Sequence, residues 1–263
     1  MDRPDWVPEG IDVDRPSAAR VYDYWLGGSH NFAADREVAR GVINVVPDTP
    51  IIMQRNRAFL HRAVRYLVDA GIRQFLDLGS GIPTLGNVHE VAQKATKDAK
   101  VVYVDVDPVA VAHSRHILAG NPNTVVIQED LRNAKEVLTH PDVRGLLNFD
   151  EPVALLLVAI LHFVTDAEKP GEIVSTLRDA LPDGSFLVLS HATGDLFERS
   201  DAQAVYKNAT ASMNLRSHAE VERYFDGFDL LEPGLTQVPF WRPDGPLPAG
   251  AASIGFYGGV GRK

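Results

Sequence analysis

The spacing of apolar residues changes near residue 73 of the chain. Beyond that point, short apolar runs alternate with segments in which apolar residues recur every three or four positions; the runs are FLDL, KVVYVDV, TVVIQED, PVALLLVAIL and GSFLVLSHA. The runs are typical of strands buried in a sheet, and the segments between them are typical of amphipathic helices. This alternation predicts an α/β fold with a mainly parallel sheet and helices on both of its faces.

The rest of the chain extends this prediction. Residues 1–70 have helical spacing and predict a helical N-terminal extension, joined to a core of residues 71–263 in one compact domain. Within the core, Thr165 and Glu168 form a capping pattern that predicts a helix running from there to Pro182. The stretch DLFERSDAQAVYKNATASM predicts another helix, and FDLLEPG and ASIGFYGGVGR predict a closing pair of strands.

The composition excludes several classes of protein. The net charge of −9 and the isoelectric point near 5.4 disfavour nucleic-acid binding. Cysteine is absent, which excludes thiolate ligands, and no HExxH motif or paired histidine spacing occurs, so no metal is expected. No apolar run approaches the roughly 20 residues of a transmembrane helix. The acidic N-terminal stretch does not resemble a signal peptide, so we expect a cytoplasmic protein with no membrane partner.

The loop DLGSGIP, residues 77–83, follows the first predicted strand. Gly79 and Gly81 allow a sharp turn and the close approach of a ligand to the backbone, although a tight turn without a ligand would use the same residues. A phosphate fits poorly, because no Walker sequence is present, Thr84 replaces the third glycine of a dinucleotide fingerprint, and Pro83 lacks an N–H group. Asp77 would repel a phosphate and attract a cation.

Acidic residues follow or end three consecutive predicted strands. Ligands of such sheets bind at the carboxyl ends of the strands, so these carboxylates are expected near the glycine loop. Asp105 could accept hydrogen bonds from ribose hydroxyls, and Asp130 from an exocyclic amine. Asp107 precedes Pro108 and could instead cap a helix. Together with Asp77, they predict a ligand that carries a ribose and a positively charged amine but no phosphate.

Three of these segments, LDLGSG, VVYVDVDP and EDL, resemble the first three motifs of class I S-adenosylmethionine-dependent methyltransferases. The chain from about Pro16 onward resembles, more closely, an actinobacterial family of S-adenosyl methyltransferases with no assigned substrate; RVYDYWLGGSHNFAADREVA, NRAFLHRAVRYLVDAGIRQFLDLGSGIPT, NVHEVAQ and VVYVDVDPVAVAHSR carry this likeness. The resemblance implies a Rossmann-like seven-stranded sheet with an antiparallel last strand, and methyl transfer from S-adenosylmethionine. Pro83 departs from the general class, which often has a third glycine there, but agrees with the specific family.

The resemblance also implies which residues contact the cofactor, from its methionine portion to its adenine. Asp77, Gly79, Ser80 and Gly81 would surround the methionine portion, Asp105 would bind the ribose, Val106, Asp107, Asp130 and Leu131 would lie near the adenine, and Ala159, Ile160 and Leu161 would support the sulfonium.

His162 comes just past the fourth predicted strand and His191 ends the fifth, and both are candidate proton acceptors. His162 is the leading candidate for a general base, because imidazole titrates in the useful range and the residue would lie near the transferred methyl group. His191 is a weaker candidate. Either histidine could instead serve only to anchor its loop.

The stretch VYDYWLGGSHNFAADR concentrates aromatic and polar residues near the N-terminus. It could be a short helix that ends at a glycine and packs its aromatic rings in a minor core. We favour a lid over the cofactor, with Tyr22 near the sulfonium, Gly27-Gly28 as a hinge, and Tyr24, His30 and Asn31 toward the substrate. Trp241 would either form a wall of the acceptor pocket or pack a C-terminal loop.

The residues leave three functions open. The first is methyl transfer to a small molecule, which suits an acidic protein with an aromatic pocket. The second is binding of S-adenosylmethionine by a regulatory or scaffold protein without turnover, since methyl transfer needs no single indispensable side chain. The third is an NAD-dependent oxidoreductase, which Asp77 and Thr84 disfavour. The oligomeric state is not predicted.

Overall fold

The structure, a computed structural model, describes residues 12–82, 86–195, 213–247 and 255–263. Within these residues, eight strands form one sheet. They are β1 (Gln74–Leu78), β2 (Lys100–Asp105), β3 (Thr124–Gln128), β4 (Ala154–Val158), β5 (Phe186–Ala192), β6 (Asp229–Leu230), β7 (Thr236–Gln237) and β8 (Phe256–Arg262).

The strand order is β3-β2-β1-β4-β5-β8-β6, and β7 also pairs with β8. Strands β1 to β5 are parallel, whereas β8 is antiparallel to β5. The Rossmann-like, mainly parallel sheet with an antiparallel last strand is therefore confirmed, and the two-residue β7 adds one strand to the seven expected. Because β1 lies between β2 and β4, the strand order reverses there and opens a crevice at the carboxyl ends of the strands.

Helices cover both faces of the sheet. One face packs against helices α1 to α5, and the other against helices α6 to α9. The helices are α1 (Ala18–Trp25), α2 (Ala33–Val45), α3 (Thr49–Asp69), α4 (Val88–Ala95), α5 (Pro108–Ile117), α6 (Ala134–Thr139), α7 (Pro141–Leu146), α8 (Pro170–Asp179) and α9 (His218–Glu222).

Strand β4 shows why its sequence is apolar throughout. Successive side chains of a strand point to opposite faces, and both faces of this sheet are covered. Ala154 and Leu156 accordingly join the core beside α1 to α5, while Leu155 and Leu157 join the core beside α6 to α9. All four side chains are fully buried.

Helix α3 connects the N-terminal helices to the sheet. Phe59, Ala63 and Leu67, spaced four residues apart, are fully buried on one side of the helix. This side contacts β4, β5 and β8. The N-terminal half of α3 is thereby held above the crevice at the carboxyl ends of the strands.

One predicted helix begins later than expected. The Thr165–Glu168 capping box is present, but it caps a single 3₁₀ turn, Asp166–Glu168. Lys169 has a left-handed backbone, with φ of 54°, so α8 starts only at Pro170. Pro83 and residues 196–212 of the predicted helix at 195–213 lie outside the described residues. No helix in the described parts of the chain is long and apolar enough to cross a membrane.

Candidate functional site

A cavity of about 710 Å³ opens at the carboxyl ends of the central strands, beneath α1 and the N-terminal half of α3. Most of the predicted site residues share this cavity although they are far apart in the sequence. The predicted residues that line it are Tyr22, Asp77, Gly79, Ser80, Gly81, Asp105, Val106, Asp107, Asp130, Leu131, Ala159, Ile160 and His162.

Asp77 is the most unusual charged residue of the cavity. It lies near the end of β1 on the sheet face that packs against α3, and only 6% of its surface is exposed. Among the described residues, its carboxylate accepts no hydrogen bond and forms no ion pair. Burial raises its pKa to about 7, opposed by the positive charge of Arg57 and reinforced by the negative charge of Asp105. A cationic ligand would restore the ionised form.

Asp105 connects the glycine loop to the end of β2. Its carboxylate accepts hydrogen bonds from the backbone N–H of Gly81 at 2.7 Å and of Asp107 at 2.8 Å. Gly81 has φ of 66°, the left-handed conformation that directs its N–H toward Asp105. Burial still raises the pKa of Asp105 to about 6, although these hydrogen bonds act in the opposite direction.

The turns after β1 and β4 both have unusual backbone conformations. Gly79 has φ of 71°, and a Cβ atom there would lie 2.3 Å from Cγ1 of Ile160. Ala159 has φ of 57°, a strained value for a residue with a side chain, and its N–H donates to Oγ of Ser190 at 3.0 Å. Such strain is typical of functional sites, where surrounding contacts hold the backbone in place.

Arg132 bridges two acidic residues at the outer side of the cavity. Its Nε donates to Asp130 at 2.9 Å, and its Nη1 donates to Glu168. The backbone N–H of Thr165 and then Arg132 lower the pKa of Glu168 to about 2. Asp130, expected near the adenine, is thus held in place by Arg132, whose backbone N–H also donates to its Oδ1 at 2.9 Å.

A buried network missed by the sequence analysis joins the N-terminal helices to this site. Arg20, 4% exposed, donates from Nε to Asp35 at 2.9 Å and from Nη1 to Asp107 at 3.4 Å. Ser17 donates its hydroxyl to Asp107 and its N–H to Asp35. Asp107 also caps α5 by accepting from the N–H of Val109 at 2.8 Å, as its place before Pro108 suggested.

The sequence analysis also missed Asn56 of α3, which links Tyr22 of α1 to Ser190 of β5. Its Nδ2 donates to the hydroxyl of Tyr22 at 3.1 Å, and its Oδ1 accepts from the hydroxyl of Ser190 at 2.6 Å. Ser190 in turn accepts the N–H of Ala159. The strained turn after β4 is therefore connected through α3 to the aromatic face of α1.

His162 lies in a 3₁₀ turn directly after β4 and lines the cavity. Its ring packs against Phe163, with centroids 4.3 Å apart, and against Phe256 at 5.7 Å. Burial, then the nearby His191 and Arg216, lower its pKa well below the ordinary value. The imidazole is therefore neutral, and its buried Nδ1 has no hydrogen-bond partner among the described residues.

His191, expected to contact the substrate, lies outside the cavity and is fully buried. Its Nε2 is 2.9 Å from Nη1 of Arg216, and its Nδ1 is 2.7 Å from the carbonyl oxygen of Ala192. Because a guanidinium can only donate, Nε2 accepts and the Nδ1–H group donates. Burial lowers the pKa of His191 to about 3, so the ring is a neutral structural acceptor for Arg216.

Trp241 does not form a wall of the cavity. It is fully buried between α3 and the C-terminal loop, where its ring meets Phe59 at 5.5 Å and Tyr66 at 6.0 Å, both edge to face. Its carbonyl oxygen accepts from Arg62 of α3 at 2.9 Å. This position agrees with the alternative prediction, in which Trp241 packs a C-terminal loop.

Three residues of the expected lid, Tyr24, His30 and Asn31, also lie outside the cavity lining. Asp23 holds the turn after α1 by accepting from the N–H of His30 and from Nδ2 of Asn31, each at 2.9 Å. The hydroxyl of Tyr24 accepts from Arg40 at 3.4 Å. Leu161, expected beside the sulfonium, is fully buried behind the cavity.

The described residues fit S-adenosylmethionine without a phosphate-binding element. Asp77 is a buried, unpaired carboxylate suited to an ammonium group, and Ser80 has a buried hydroxyl with no partner among the described residues. Because Gly79 and Gly81 have no side chains, a ligand can also approach the backbone beside Asp77 and Ser80. Val106 is 59% exposed beside Asp105, and supplies an apolar surface for a planar base.

The sheet order and this arrangement of acids around a glycine turn define a class I S-adenosylmethionine-dependent methyltransferase. The family model of S-adenosyl methyltransferases matches residues 4–263. The chain belongs to that family, and S-adenosylmethionine is its cofactor.

Solved structures agree with this assignment. A crystal structure of a candidate methyltransferase from Thermobifida fusca YX is 40% identical, covers 99% of both chains and superposes with a TM-score of 0.93. A DUF574-family protein from Streptomyces avermitilis is 38% identical over 96% of this chain and 100% of its own, with a TM-score of 0.90.

A more distant structure shares the fold alone. It is magnesium protoporphyrin IX methyltransferase from Synechocystis PCC 6803, solved with bound S-adenosylhomocysteine, at 15% identity, 92% and 93% coverage and a TM-score of 0.53. No curated protein sequence matches the chain significantly.

Proposed function

We propose that this methyltransferase transfers a methyl group from S-adenosylmethionine to a small molecule bound beside His162. One observation carries the proposal: the cavity that contains the strand-end acids continues into an apolar region. Trp25, Met53, Leu60, Phe163 and Phe256 line this region. Apolar walls with few polar groups are typical of small-molecule sites, and the net charge of −9 disfavours a nucleic-acid acceptor.

In this proposal, the acids and the glycine turn bind the cofactor along the sheet edge. Asp77 binds the α-ammonium group, Asp105 accepts from the ribose hydroxyls, and Val106 packs against the adenine. Bound cofactor supplies a methyl group already activated by a sulfonium charge. The protein therefore contributes alignment and exclusion of water, and its rigid strand ends suit both.

His162 acts as the proton acceptor in the same proposal. Its ring is buried and lines the cavity beside Phe163 and Phe256, and its lowered pKa keeps it neutral at physiological pH. A neutral imidazole can accept a hydrogen bond, and then a proton, from a hydroxyl or amine of the acceptor. Such an interaction aligns the acceptor atom for in-line attack.

We further propose that the N-terminal extension, residues 1–70, closes the cavity as a lid over the core, residues 71–263. Tyr22 and Trp25 of α1 line the cavity, which supports this role. Gly27, with φ of 81°, and Gly28 follow α1 directly and supply the hinge.

Two measurements test the proposed function. Calorimetry with the full chain should give saturable binding of S-adenosylmethionine and S-adenosylhomocysteine at micromolar or tighter affinity, and no competition by NAD. A screen for release of S-adenosylhomocysteine, with small hydroxylated or amino aromatic compounds set against RNA, DNA and protein acceptors, should give turnover only with small molecules. Turnover confined to a macromolecular acceptor would refute the proposal.

A further inference from the structure

The 3₁₀ turn that carries His162 is held by hydrogen-bond donors from the segment just before α9. The carbonyl oxygen of His162 accepts from the backbone N–H of Asn214 at 2.7 Å and from its Nδ2 at 3.3 Å. The carbonyl oxygens of Leu161 and Val164, on either side of His162, accept from Arg216 at 3.1 and 2.9 Å. Donors from another part of the chain therefore fix the backbone on both sides of His162.

Arg216 uses both terminal nitrogens of its guanidinium in this contact, and only 5% of its surface is exposed. Nη1 donates to the Leu161 carbonyl and, at 2.9 Å, to Nε2 of His191. Nη2 donates to the Val164 carbonyl and, at 2.6 Å, to the carboxylate of Asp166. All four N–H groups of the two nitrogens thus have acceptors. Because the guanidinium is planar and rigid, these contacts fix the turn after β4 relative to β5.

The His191 ring extends this contact to the His162 ring. The two imidazoles meet edge to face, with centroids 5.6 Å apart, and His191 accepts from Arg216 through Nε2. Burial, and then His191 and Arg216, lower the pKa of His162. Arg216 thus acts on His162 through the backbone of the turn, through the His191 ring and through its charge.

We infer that Arg216 is a positioning residue for methyl transfer, which holds the turn after β4 so that the His162 imidazole lines the cavity in one orientation. The inference rests on the proposed role of His162 as the proton acceptor. Arg216 does not line the cavity, so it acts through His162 and not on the acceptor itself. A lysine cannot replace it, because one ammonium group cannot reach four acceptors arranged around two nitrogens.

NMR spectroscopy of the imidazole nitrogens tests this inference without an acceptor. The full chain is labelled with nitrogen-15 in its histidines and saturated with S-adenosylhomocysteine, and the loss of signals in His162→Gln assigns His162. Wild-type protein at pH 7 should give one sharp set of His162 signals, from a single neutral tautomer. In Arg216→Gln and Arg216→Lys the turn loses donors, so these signals should broaden or split into two sets. The dissociation constant for S-adenosylhomocysteine should stay within about twofold, since Arg216 does not line the cavity.

The matched control is Arg178→Gln on α8. Arg178 also donates to a backbone carbonyl, that of Asp226 at 2.7 Å, and pairs with the carboxylate of Asp179. Among the described residues it contacts neither His162 nor its turn, so the His162 signals of this variant should match those of the wild type.

The inference is wrong if wild-type protein shows two tautomers of His162, a result that needs no variant. It is also wrong if either Arg216 variant folds, as urea unfolding shows, and keeps one sharp set of His162 signals, because Arg216 would then contribute to stability alone. Wild-type protein that binds no S-adenosylhomocysteine would instead refute the proposed function, and the His162 signals of the ligand-free protein would still decide the inference.

Discussion

At the scale of single residues, Asp77 favours cofactor binding but lowers the stability of the protein without ligand. Burial raises its pKa to about 7, and within the described residues its carboxylate has no hydrogen-bond donor to compensate for the lost water. An unfolded chain would ionise the same group near 3.8. The Asp77 carboxyl group therefore stays protonated to a higher pH in the native state than in the unfolded chain. The free energy of unfolding consequently falls as the pH rises from about 4 to about 7. At pH 8 the Asp77 carboxylate is ionised in the native state, and the full cost of burying its charge lowers the free energy of unfolding.

Asp77→Asn should therefore stabilise the protein without ligand while weakening cofactor binding. The amide keeps the shape of the carboxyl group and carries no charge to desolvate. At pH 8 we expect the free energy of urea-induced unfolding to rise by about 2–4 kcal/mol. Calorimetry should show the affinity for S-adenosylmethionine falling about 10- to 100-fold, because the ammonium loses its charged partner.

Asp150→Asn is the matched control, since Asp150 is exposed in a turn far from the sheet edge, and neither quantity should change. Unchanged or lower stability of Asp77→Asn at pH 8 would show that the Asp77 carboxylate is compensated in the native state.

His162 permits a second test at this scale. His162→Gln preserves hydrogen-bonding capacity but cannot take up a proton. With an acceptor that must be deprotonated, kcat should fall by about 10²- to 10⁴-fold, the usual contribution of a general base. The dissociation constant for S-adenosylhomocysteine should stay within about twofold, as the ring lies beyond the residues proposed to bind the cofactor.

His116→Gln, at an exposed position on α5, provides the comparison and should retain full kcat. A His162→Gln variant with wild-type kcat would leave His162 as a packing residue and would assign acceptor alignment to other cavity side chains.

At the scale of elements, a buried ion-pair network fixes the N-terminal helices to the cofactor edge. Arg20 of α1 lies between Asp35 of α2 and Asp107, the capping residue of α5. All three are at most 7% exposed. Removing one member of a buried network leaves the other charges without compensation, which costs more than any surface pair contributes.

Arg20→Met should accordingly destabilise the protein by about 3–5 kcal/mol in urea unfolding. It should also weaken S-adenosylhomocysteine binding, since Asp107 and the first turn of α1 border the cavity. Arg65→Met, which removes an exposed pair, should cost about 1 kcal/mol or less. Equal losses in the two variants would show that the Arg20 network does not hold the helices in place.

The strands and their terminal acids could be read from the sequence because both signals are local. An apolar run such as residues 154–158 predicts a doubly covered strand, and an acid immediately after a strand must lie at its carboxyl edge. The Arg20–Asp107 contact joins residues 87 positions apart, so no local sequence pattern predicts it. His191 could not be placed because its role depends on Arg216, which another part of the chain supplies.

At the scale of the whole molecule, two sets of buried groups oppose each other in their response to acid. Burial lowers the pKa of His113 to about 4, that of His191 to about 3 and that of His162 well below 6.5. The unfolded chain protonates these histidines below pH 6.5, so they reduce stability as the pH falls. Asp77 and Asp105, with pKa values raised to about 7 and about 6, bind protons in the native state and act oppositely.

Asp77→Asn removes one carboxyl group that the native state holds protonated near pH 5.5, because burial raises its pKa to about 7. The native variant binds about one proton fewer, so its free energy of unfolding should fall more steeply than that of the wild type as the pH decreases from about 6 to 5, by about 1.4 kcal/mol per pH unit. Asp150→Asn should keep the wild-type slope. Urea unfolding at half-unit pH intervals measures all three slopes. Equal slopes for Asp77→Asn and the wild type would mean that the Asp77 carboxyl group is ionised in the native protein at this pH and that its burial carries no penalty.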